Sequence, residues 1–370
     1  MQKNKTVIFV SNPFGLGPTG KTVALMEELC GLWKGRIVYA ASSMCQETIP
    51  EHIKDKIIIE NIDERNEEEL LLIFNKYQDP LVICTLNRLA IKTAKSLGLK
   101  AFFIDSLAWL WKEIPEEYLL ADTYYCFNIF DIKNKLPKRD NIKVISPVFG
   151  ILPKFKTVKK PFILIHVGGF KNPFQDKMSF AYLNLLIDTF LDFEPMEEIE
   201  VVGGGDAVNY IKSKIKNEKF IFKTLGRDEF LHHLNNSSHF ITTSGLTATL
   251  EAFALRTPTS FIPPTNLSQY QILRLLNKTG CAESKIEWKD VLDYDVDFEN
   301  LSEKEAIPKF HQVAQDCYDN PEFHQNFVKN LKNILNSIPS NEKQTKFIES
   351  AGTNGSEIII QDILKNLITL

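Results

Sequence analysis

The chain has 370 residues and a formal net charge of -4, from 43 basic and 47 acidic side chains. This length favours two domains, each large enough to bury its own core. Such a charge balance offers no broad basic field for nucleic acid, and no apolar run in the sequence approaches the roughly 18 residues of a membrane span.

The first half alternates short apolar runs with amphipathic stretches. The candidate strands are residues 6–10, 35–39, 56–60, 81–85, 101–105, 123–128 and 143–145. The stretches between them that predict helices are residues 22–32, 67–76 and 87–97. Strands that alternate with helices in this way are typical of βαβ units on a parallel sheet.

Residues 146–161 contain three prolines and a basic run, which predict an interdomain linker. The alternation then restarts. Candidate strands follow at residues 162–167, 199–202, 220–224, 239–243 and 259–262. Candidate helices follow at residues 178–193, 228–235, 246–255, 305–318, 322–338 and 357–368. The second half is therefore predicted to be a second α/β unit with glycine-rich junctions.

These patterns predict an N-terminal domain at residues 1–150 and a C-terminal domain at residues 151–345. A last helix at residues 356–370 is expected to pack back on the N-terminal domain. The segment before that helix, residues 339–355, is polar and is predicted to be a loop.

The six cysteines form no CxxC pair, and no histidine lies at zinc-ligand spacing from them. Several lie in apolar runs, as Cys84 does after Val82 and Ile83. We interpret them as reduced core thiols, which predicts a cytoplasmic protein. The sequence does not indicate an oligomeric state.

A strand–glycine–helix junction at Ser244 and Gly245 carries the strongest chemical signal. Unpaired amides and the positive end of the helix dipole make such a helix start a binding site for a diphosphate. Thr247 and Thr249 would donate hydroxyl bonds, and Glu251 would accept hydrogen bonds from both hydroxyls of a ribose. The alternative is an ordinary capped helix with Glu251 in solvent.

This segment resembles the donor site of GT-B glycosyltransferases, and in particular of the peptidoglycan N-acetylglucosaminyltransferase group. In that group, a helix start rich in glycine and serine or threonine precedes a ribose-binding Glu, a proline-containing strand and a Gln-rich sugar loop. The matching stretches here are Ser244 to Thr249, Glu251, residues 257–263, residues 266–271 and residues 279–282.

The resemblance implies an α/β protein with the GT-B fold, in which two Rossmann-like domains face a central cleft. It implies a nucleotide-sugar donor in the C-terminal domain, a small-molecule acceptor in the N-terminal domain, and no metal ion or other cofactor. The donor-binding residues that it implies are Ser244, Gly245, Leu246, Thr247, Ala248, Thr249, Glu251 and Gln269. The group more often has two adjacent Gln where this chain has Ser268 and Gln269, which allows a different sugar.

Further glycine junctions follow the strands of the second half. In the same family such strand ends line the cleft, in agreement with the general position of ligands on α/β sheets. The additional donor-binding residues that this implies are His166, Gly168, Gly169, Gly204 and Arg227. Each glycine pair taken alone is more typical of a tight turn.

The N-terminal half offers a rival interpretation. Residues 15–22 match the P-loop pattern G-x-x-x-x-G-K-[ST], in which amides hold phosphates while Lys21 and Thr22 reach phosphate and magnesium. A P-loop NTPase or kinase is therefore an alternative function. Pro18 weakens it, because proline removes one amide donor from the loop.

Under the GT-B interpretation the same loop helps to hold the acceptor or the diphosphate. The residues assigned to it are Gly15, Gly17, Thr19, Gly20 and Lys21. Residues 11–21 also resemble the opening of cytosylglucuronate synthases, which join glucuronate from UDP-glucuronate to cytosine or hydroxymethylcytosine in nucleoside-antibiotic pathways. This narrower resemblance requires a cation for the sugar carboxylate, and the candidates are Lys21, Arg88, Lys171 and Arg256.

An inverting transfer from a UDP-sugar needs a general base and a stabilised leaving group. Asp105 is the first candidate for the base, because it ends an apolar strand; its alternative role is to cap the next turn. Asp122 and Glu113 are further candidates. Lys21 or Arg227 would neutralise the leaving diphosphate. A non-catalytic sugar-nucleotide-binding protein and a sugar-nucleotide 2-epimerase remain alternatives.

Overall fold

The computed structural model describes residues 5–13, 16–46, 49–168 and 180–369. The chain divides into two compact units. The first spans Met1–Ile151 together with Ala351–Leu370, and the second spans Leu152–Ser350. Each unit is an α/β structure built on its own parallel sheet. No helix among the described residues is long and apolar enough to cross a membrane.

The described residues of the first unit form a seven-stranded parallel sheet. Its strands are β1 (Thr6–Ser11), β2 (Arg36–Ala41), β3 (Ile58–Asn61), β4 (Leu81–Thr85), β5 (Ala101–Asp105), β6 (Thr123–Phe127) and β7 (Ile142–Ile145). They pair in the order β3-β2-β1-β4-β5-β6-β7. Strands β1, β4 and β5 are buried along their whole length, as expected for apolar strands covered on both faces. The strand order reverses at β1, because β2 and β3 lie on one side of it and β4, which follows β3 in the chain, pairs on the other. Such a switch point is where open α/β sheets bind ligands.

Short helices and loops connect these strands. The described helices before residue 100 are α1 (Leu16–Leu32), α2 (Ser43–Gln46), α3 (Glu51–Lys54), α4 (Glu67–Lys76) and α5 (Arg88–Ser96). Asn66 caps α4 by accepting a hydrogen bond from the N–H of Glu68, and Asn87 caps α5 by accepting one from Ala90. Both caps satisfy amides that the helix itself leaves unpaired.

The described residues of the second unit form a five-stranded parallel sheet. Its strands are β8 (Lys160–His166), β9 (Glu198–Val202), β10 (Phe220–Lys223), β11 (Ser237–Thr242) and β12 (Thr259–Phe261). They pair in the order β10-β9-β8-β11-β12. The described helices are α6 (Phe180–Leu191), α7 (Gly205–Lys212), α8 (Arg227–Asn236), α9 (Leu246–Ala254), α10 (Leu267–Lys278), α11 (Glu303–Asp319), α12 (Pro321–Leu335) and α13 (Glu342–Ala351). The prediction of a second α/β unit is confirmed.

The prediction of a loop at residues 339–355 is wrong, because α13 lies within this segment. Gln344 explains the helix. Its side chain is buried, donates to the carbonyl oxygens of Thr259 and Cys281 at 2.8 and 2.9 Å, and accepts from the N–H of Thr259 at 3.1 Å. A polar residue that indicates a loop from composition therefore anchors α13 to strand β12.

The C-terminal helix α14 (Gly355–Thr369) packs within the first unit. Asp362 accepts a hydrogen bond from the hydroxyl of Tyr125 at 2.9 Å and forms an ion pair with Lys143 at 2.6 Å. These contacts tie the helix to β6 and β7. The first residue of the helix, Gly355, has no room for a side chain, because an added Cβ would lie 2.0 Å from the carbonyl oxygen of Ser146.

The linker segment before β8 is held to the second unit by Lys159. Its ammonium group donates to the carbonyl oxygens of Asn235 and Leu255 at 2.9 and 3.0 Å, and to the hydroxyl of Thr257 at 3.1 Å. These carbonyl groups lie at the ends of α8 and α9, where the helix dipole favours a cation. Burial nevertheless lowers the pKa of Lys159 to about 8.

We expect Lys159→Met to lower the free energy of unfolding by about 1–3 kcal/mol, because buried carbonyl groups at two helix ends lose their donor. Urea denaturation measures the change. Lys160→Met is the matched control, since the side chain of Lys160 is exposed and lies one position along the chain. An equal loss in the two variants would contradict this role of Lys159.

Candidate functional site

The glycine junctions of the second half meet at one edge of its sheet. Strands β8, β9 and β11 run parallel and in register, so that His166 pairs with Val202 on one side and with Thr242 on the other. The residues that follow these strands therefore lie together at the carboxyl edge. This edge holds Gly168, Gly203, Gly204 and Gly245, as the sequence pattern predicts. Gly169, a predicted member, lies outside the described residues.

Two of these glycines have a structural reason to be glycine. Gly168 has a φ of +84°, and its carbonyl oxygen accepts a hydrogen bond from the N–H of Gly204 at 3.1 Å. A Cβ on Gly203 would lie 2.9 Å from the same oxygen. The loops after β8 and β9 thus pack backbone against backbone. Gly204 caps α7 without a side chain, which leaves the first amides of that helix uncapped.

The start of α9 is open and uncapped. Gly245 is its N-cap residue and supplies no side-chain hydrogen bond, so Leu246, Thr247 and Ala248 begin a helix whose first amides lack intrahelical acceptors. A Cβ placed on Gly245 would meet no atom within 4 Å. Its φ of -67° suits any residue, so backbone geometry does not demand glycine here. Free space beside uncapped amides suits an anion.

One hydroxyl near this helix start lacks a partner. Thr249 is fully buried, and its Oγ1 makes no hydrogen bond in the structure. An unsatisfied buried hydroxyl is uncommon, because losing its hydrogen bond to water costs about 1–3 kcal/mol. Thr249 lies one turn after Gly245 in α9. Among the described residues, the hydroxyls of Thr6 and Thr93 are also buried without a partner, so this hydroxyl does not by itself mark a ligand site.

Ser244 and Gln269 lie at the same helix start but are engaged with the protein. The hydroxyl of Ser244 donates to the carbonyl oxygen of Gln269 at 2.6 Å. The side-chain oxygen of Gln269 accepts from the N–H and the hydroxyl of Thr265 at 2.9 and 3.1 Å. These bonds fix the start of α10 against the start of α9. The Ser244 hydroxyl therefore tethers two helix starts, and the assignment of Ser244 to the donor site stays a prediction.

Glu251 is buried, unlike the solvated residue of the alternative interpretation. Its side chain is 5% exposed and pairs with Arg227, with 2.6 Å between Oε1 and Nη2. Arg227 is the first residue of α8, directly after the glycine that caps this helix. The structure thus places both predicted donor-site residues together, but joins Arg227 to a carboxylate.

His166 lies at the end of β8, as predicted. Burial lowers the pKa of its imidazole to about 4, so the ring is neutral near pH 7. Nδ1 lies 3.4 Å from the hydroxyl of Thr242, and the rings of Phe230 and Phe240 pack beside it. A neutral ring can hydrogen-bond to a ligand, but it supplies no positive charge to a phosphate.

The P-loop interpretation of residues 15–22 is wrong. Helix α1 begins at Leu16, so the described part of the motif is helical and cannot wrap its amides around a phosphate. The hydroxyl of Thr22, which would bind magnesium, is buried and bonds to Thr85 Oγ1 at 2.7 Å. Gly15 lies outside the described residues.

The other residues assigned to this loop lie in the first two turns of α1. Lys21 is 4% exposed and donates to the carbonyl oxygen of Gly17 at 3.1 Å. Thr19 is buried and donates to the sulfur of Cys45 at 3.4 Å. Gly20 has no atom within 4 Å of an added Cβ. Lys21 therefore makes a contact within its own helix, and its catalytic role stays a prediction.

The pKa of Asp105 suits a general base, but its hydrogen bonds do not. Burial raises its pKa to about 6, and the side chain is fully buried. Its Oδ1 accepts from the N–H of Leu107 at 2.7 Å, and its Oδ2 accepts from Trp111 Nε1 and the hydroxyl of Tyr124 at 2.8 and 2.7 Å. Because both oxygens are occupied, the structure supports the capping role and contradicts the catalytic one.

The structure gives no support to Asp122 or Glu113 as the general base. Asp122 accepts from Lys95 Nζ and from the N–H of Ala101, both at 2.8 Å, which makes it a tether between α5 and β5. Glu113 is exposed in an irregular segment.

A polar cluster at the carboxyl edge of the first sheet is not predicted from the sequence. Glu64 is 1% exposed and accepts from the N–H and the hydroxyl of Ser42, both at 3.0 Å, and from the thiol of Cys45 at 3.2 Å. Asn87 donates to the carbonyl oxygens of Ser11 and Glu64. Glu64 lies between an Asp and an Arg, a pattern that indicates a solvated surface. The one available signal was the capping asparagine after β4.

Neither a protein-family model nor a curated protein sequence matches the chain. Solved structures do match it along almost its whole length. MurG of Acinetobacter baumannii is 14% identical, with a TM-score of 0.55, and the match covers 98% of this chain and 99% of that one. UGT89C1 of Arabidopsis thaliana, complexed with UDP, is 9% identical with a TM-score of 0.60 and coverages of 98% and 100%.

A third similar structure is the UDP-GlcNAc 2-epimerase from Neisseria meningitidis bound to UDP-GlcNAc. It is 14% identical, with a TM-score of 0.55 and coverages of 98% and 100%. Likeness at such low identity shows the fold alone. The chain has the GT-B fold, with two Rossmann-like α/β domains on parallel sheets.

The buried carboxyl of Asp105 predicts a specific pH dependence of stability. Its pKa rises from the usual 3.8 to about 6 on folding, so the folded state holds the proton more tightly. Its contribution to stability is full below the lower pKa and is lost as the pH rises through the higher one. We expect the unfolding free energy of wild type, minus that of Asp105→Asn, to fall between about pH 4 and pH 6. Urea denaturation across this range measures the difference, and a rise with pH would contradict it.

Proposed function

We propose that this protein is a glycosyltransferase that takes its sugar from a UDP-sugar bound at the start of α9. One observation carries the proposal: Gly245 opens α9 without a cap and faces free space. The fold supports the proposal, because structures of MurG and of a UDP complex of UGT89C1 share it. Ligands of parallel α/β sheets also bind at this carboxyl edge.

In this proposal the diphosphate rests on the first amides of α9. The amides and the positive dipole end stabilise its charge. Glu251 accepts hydrogen bonds from the ribose. When the bond between the anomeric carbon and the diphosphate breaks, negative charge grows on the phosphate oxygen. Fixed amides stabilise this charge without reorganising, which is how such a site accelerates transfer.

We propose further that transfer inverts the anomeric carbon and needs no metal ion, since helix amides do the work of a cation. Activity that survives EDTA supports this part. The acceptor is a small molecule, and we propose that the first unit binds it. The described residues leave the general base unassigned, because Asp105 is sealed from ligands.

A narrower proposal rests on the resemblance of residues 11–21: the donor is UDP-glucuronate and the acceptor is cytosine or a related small molecule. Its cation for the sugar carboxylate is less well supported. Arg88 is paired with Glu117, and Arg256 is paired with Glu349 and stacks on Phe155. Lys171 lies outside the described residues. Comparing binding of UDP-glucuronate with that of UDP-glucose and UDP-N-acetylglucosamine tests this proposal.

A 2-epimerase is the second candidate, because the epimerase bound to UDP-GlcNAc shares the fold. Product analysis separates the two functions. A transferase releases UDP in step with a glycosylated acceptor, whereas an epimerase interconverts the sugar nucleotide with no acceptor present. A protein that binds UDP-sugars and does neither would be a binding protein.

We expect Gly245→Ala to weaken UDP binding about tenfold or more while leaving the melting temperature within about 3 °C of wild type. The added methyl group clashes with nothing in the protein but fills the space proposed for phosphate. Isothermal titration calorimetry with UDP measures the affinity. Gly31→Ala is the matched control, because it adds a methyl group to equally open space on α1. Unchanged UDP affinity in Gly245→Ala would remove the basis of the proposal.

We also expect Glu251→Ala to weaken UDP binding about tenfold or more, because the ribose loses its acceptor and Arg227 is left unpaired. The same titration measures it. Affinity equal to that of wild type would place the nucleoside elsewhere.

A further inference from the structure

The position of Arg227 is unfavourable for the stability of its own helix. It is the first residue of α8, where the dipole carries partial positive charge and acidic side chains are preferred. Asp228 and Glu229 follow that preference in the same turn. An arginine at this position therefore needs a reason outside the helix.

Glu251 supplies that reason. Its carboxylate is 5% exposed, and moving an ionised carboxylate out of water is strongly unfavourable without a partner. Among the ion pairs of the described residues, Arg227 is the cation joined to Glu251, at 2.6 Å through Oε1. Arg227 is itself 22% exposed, so the pair is shielded from water and salt on the Glu251 side.

The pair also crosses between two separate helices. Arg227 begins α8, which follows the edge strand β10. Glu251 lies in the second turn of α9, which follows β11. In the strand order, β10 and β11 lie on opposite sides of β8. A bond of this kind fixes the orientation of a carboxylate that its own helix leaves free to rotate. It occupies one oxygen, Oε1, and leaves the other for a ligand.

We propose that Arg227 is a positioning residue that acts through Glu251, and not a ligand of the diphosphate. It orients the carboxylate to accept ribose hydroxyls, so it makes the site selective for ribonucleotides over 2′-deoxyribonucleotides. This inference rests on the proposed function and deepens it. It replaces the role at the leaving group that the sequence alone suggested for Arg227.

The proposal predicts which part of the nucleotide responds to Arg227. A residue that acts through Glu251 affects binding of the ribose. Replacing it should therefore weaken binding by the same factor whatever the number of phosphates on the nucleotide. A residue that binds phosphate should matter more for UDP than for UMP, and equally for UDP and 2′-deoxy-UDP.

Titration calorimetry with UDP, 2′-deoxy-UDP and UMP tests this, using wild type, R227Q, R227K, E251Q and the double variant R227Q/E251Q. We expect wild type to prefer UDP over 2′-deoxy-UDP at least tenfold. In R227Q we expect UDP and UMP to weaken by the same factor, 2′-deoxy-UDP to change less than threefold, and the preference to disappear. R227K should restore part of the preference. In the E251Q background, R227Q should add no further loss.

Equal weakening of UDP and 2′-deoxy-UDP in R227Q, with a smaller effect on UMP, would overturn the proposal, as would additive losses in the double variant. Melting temperatures without ligand show whether each variant is folded. If R227Q is unfolded, R227K and the double variant carry the comparison, because the double variant replaces the ion pair with two neutral amides. Absence of UDP binding by wild type would instead overturn the proposed function together with this inference.

Discussion

The first amides of a helix have no acceptors within the helix and must find partners outside it. Gly245 brings no capping side chain and leaves open space in front of the first turn. A main-chain N–H group that is buried without a hydrogen bond costs free energy, and one that faces solvent attracts anions. The start of α9 lies at the carboxyl edge of the parallel sheet, where the other strands also end.

Three buried carboxylates show how surroundings determine function. Asp105 is surrounded by neutral donors that occupy both oxygens, and burial raises its pKa. Glu64 accepts from a hydroxyl, an amide and a thiol. Glu251 alone of these three is paired with a cation. The first two carboxylates hold loops of the first sheet in place, whereas the third keeps an oxygen outside its ion pair.

The P-loop match shows what a motif does not specify. The letters of residues 15–22 fit the pattern completely, yet helix α1 has already begun at Leu16. Helical geometry turns Thr19 and Thr22 into the core, where they bond to Cys45 and Thr85. A motif of this type binds phosphate only when its backbone forms a loop, and sequence letters do not fix where the loop ends.

The sequence by itself determined the alternation of strands and helices, the parallel class of both sheets and the glycine junctions, because these depend on local periodicity and on residues that favour turns. It also located the start of α9 to the residue. Only the tertiary structure decided which polar groups already have partners: Ser244 with Gln269, Arg227 with Glu251, Gln344 with Thr259, and Asp105 with Trp111 and Tyr124. These partners are separated by 6 to 85 positions in the chain. Hydrogen bonds over such separations depend on how helices pack on the sheet, and no local pattern encodes that packing.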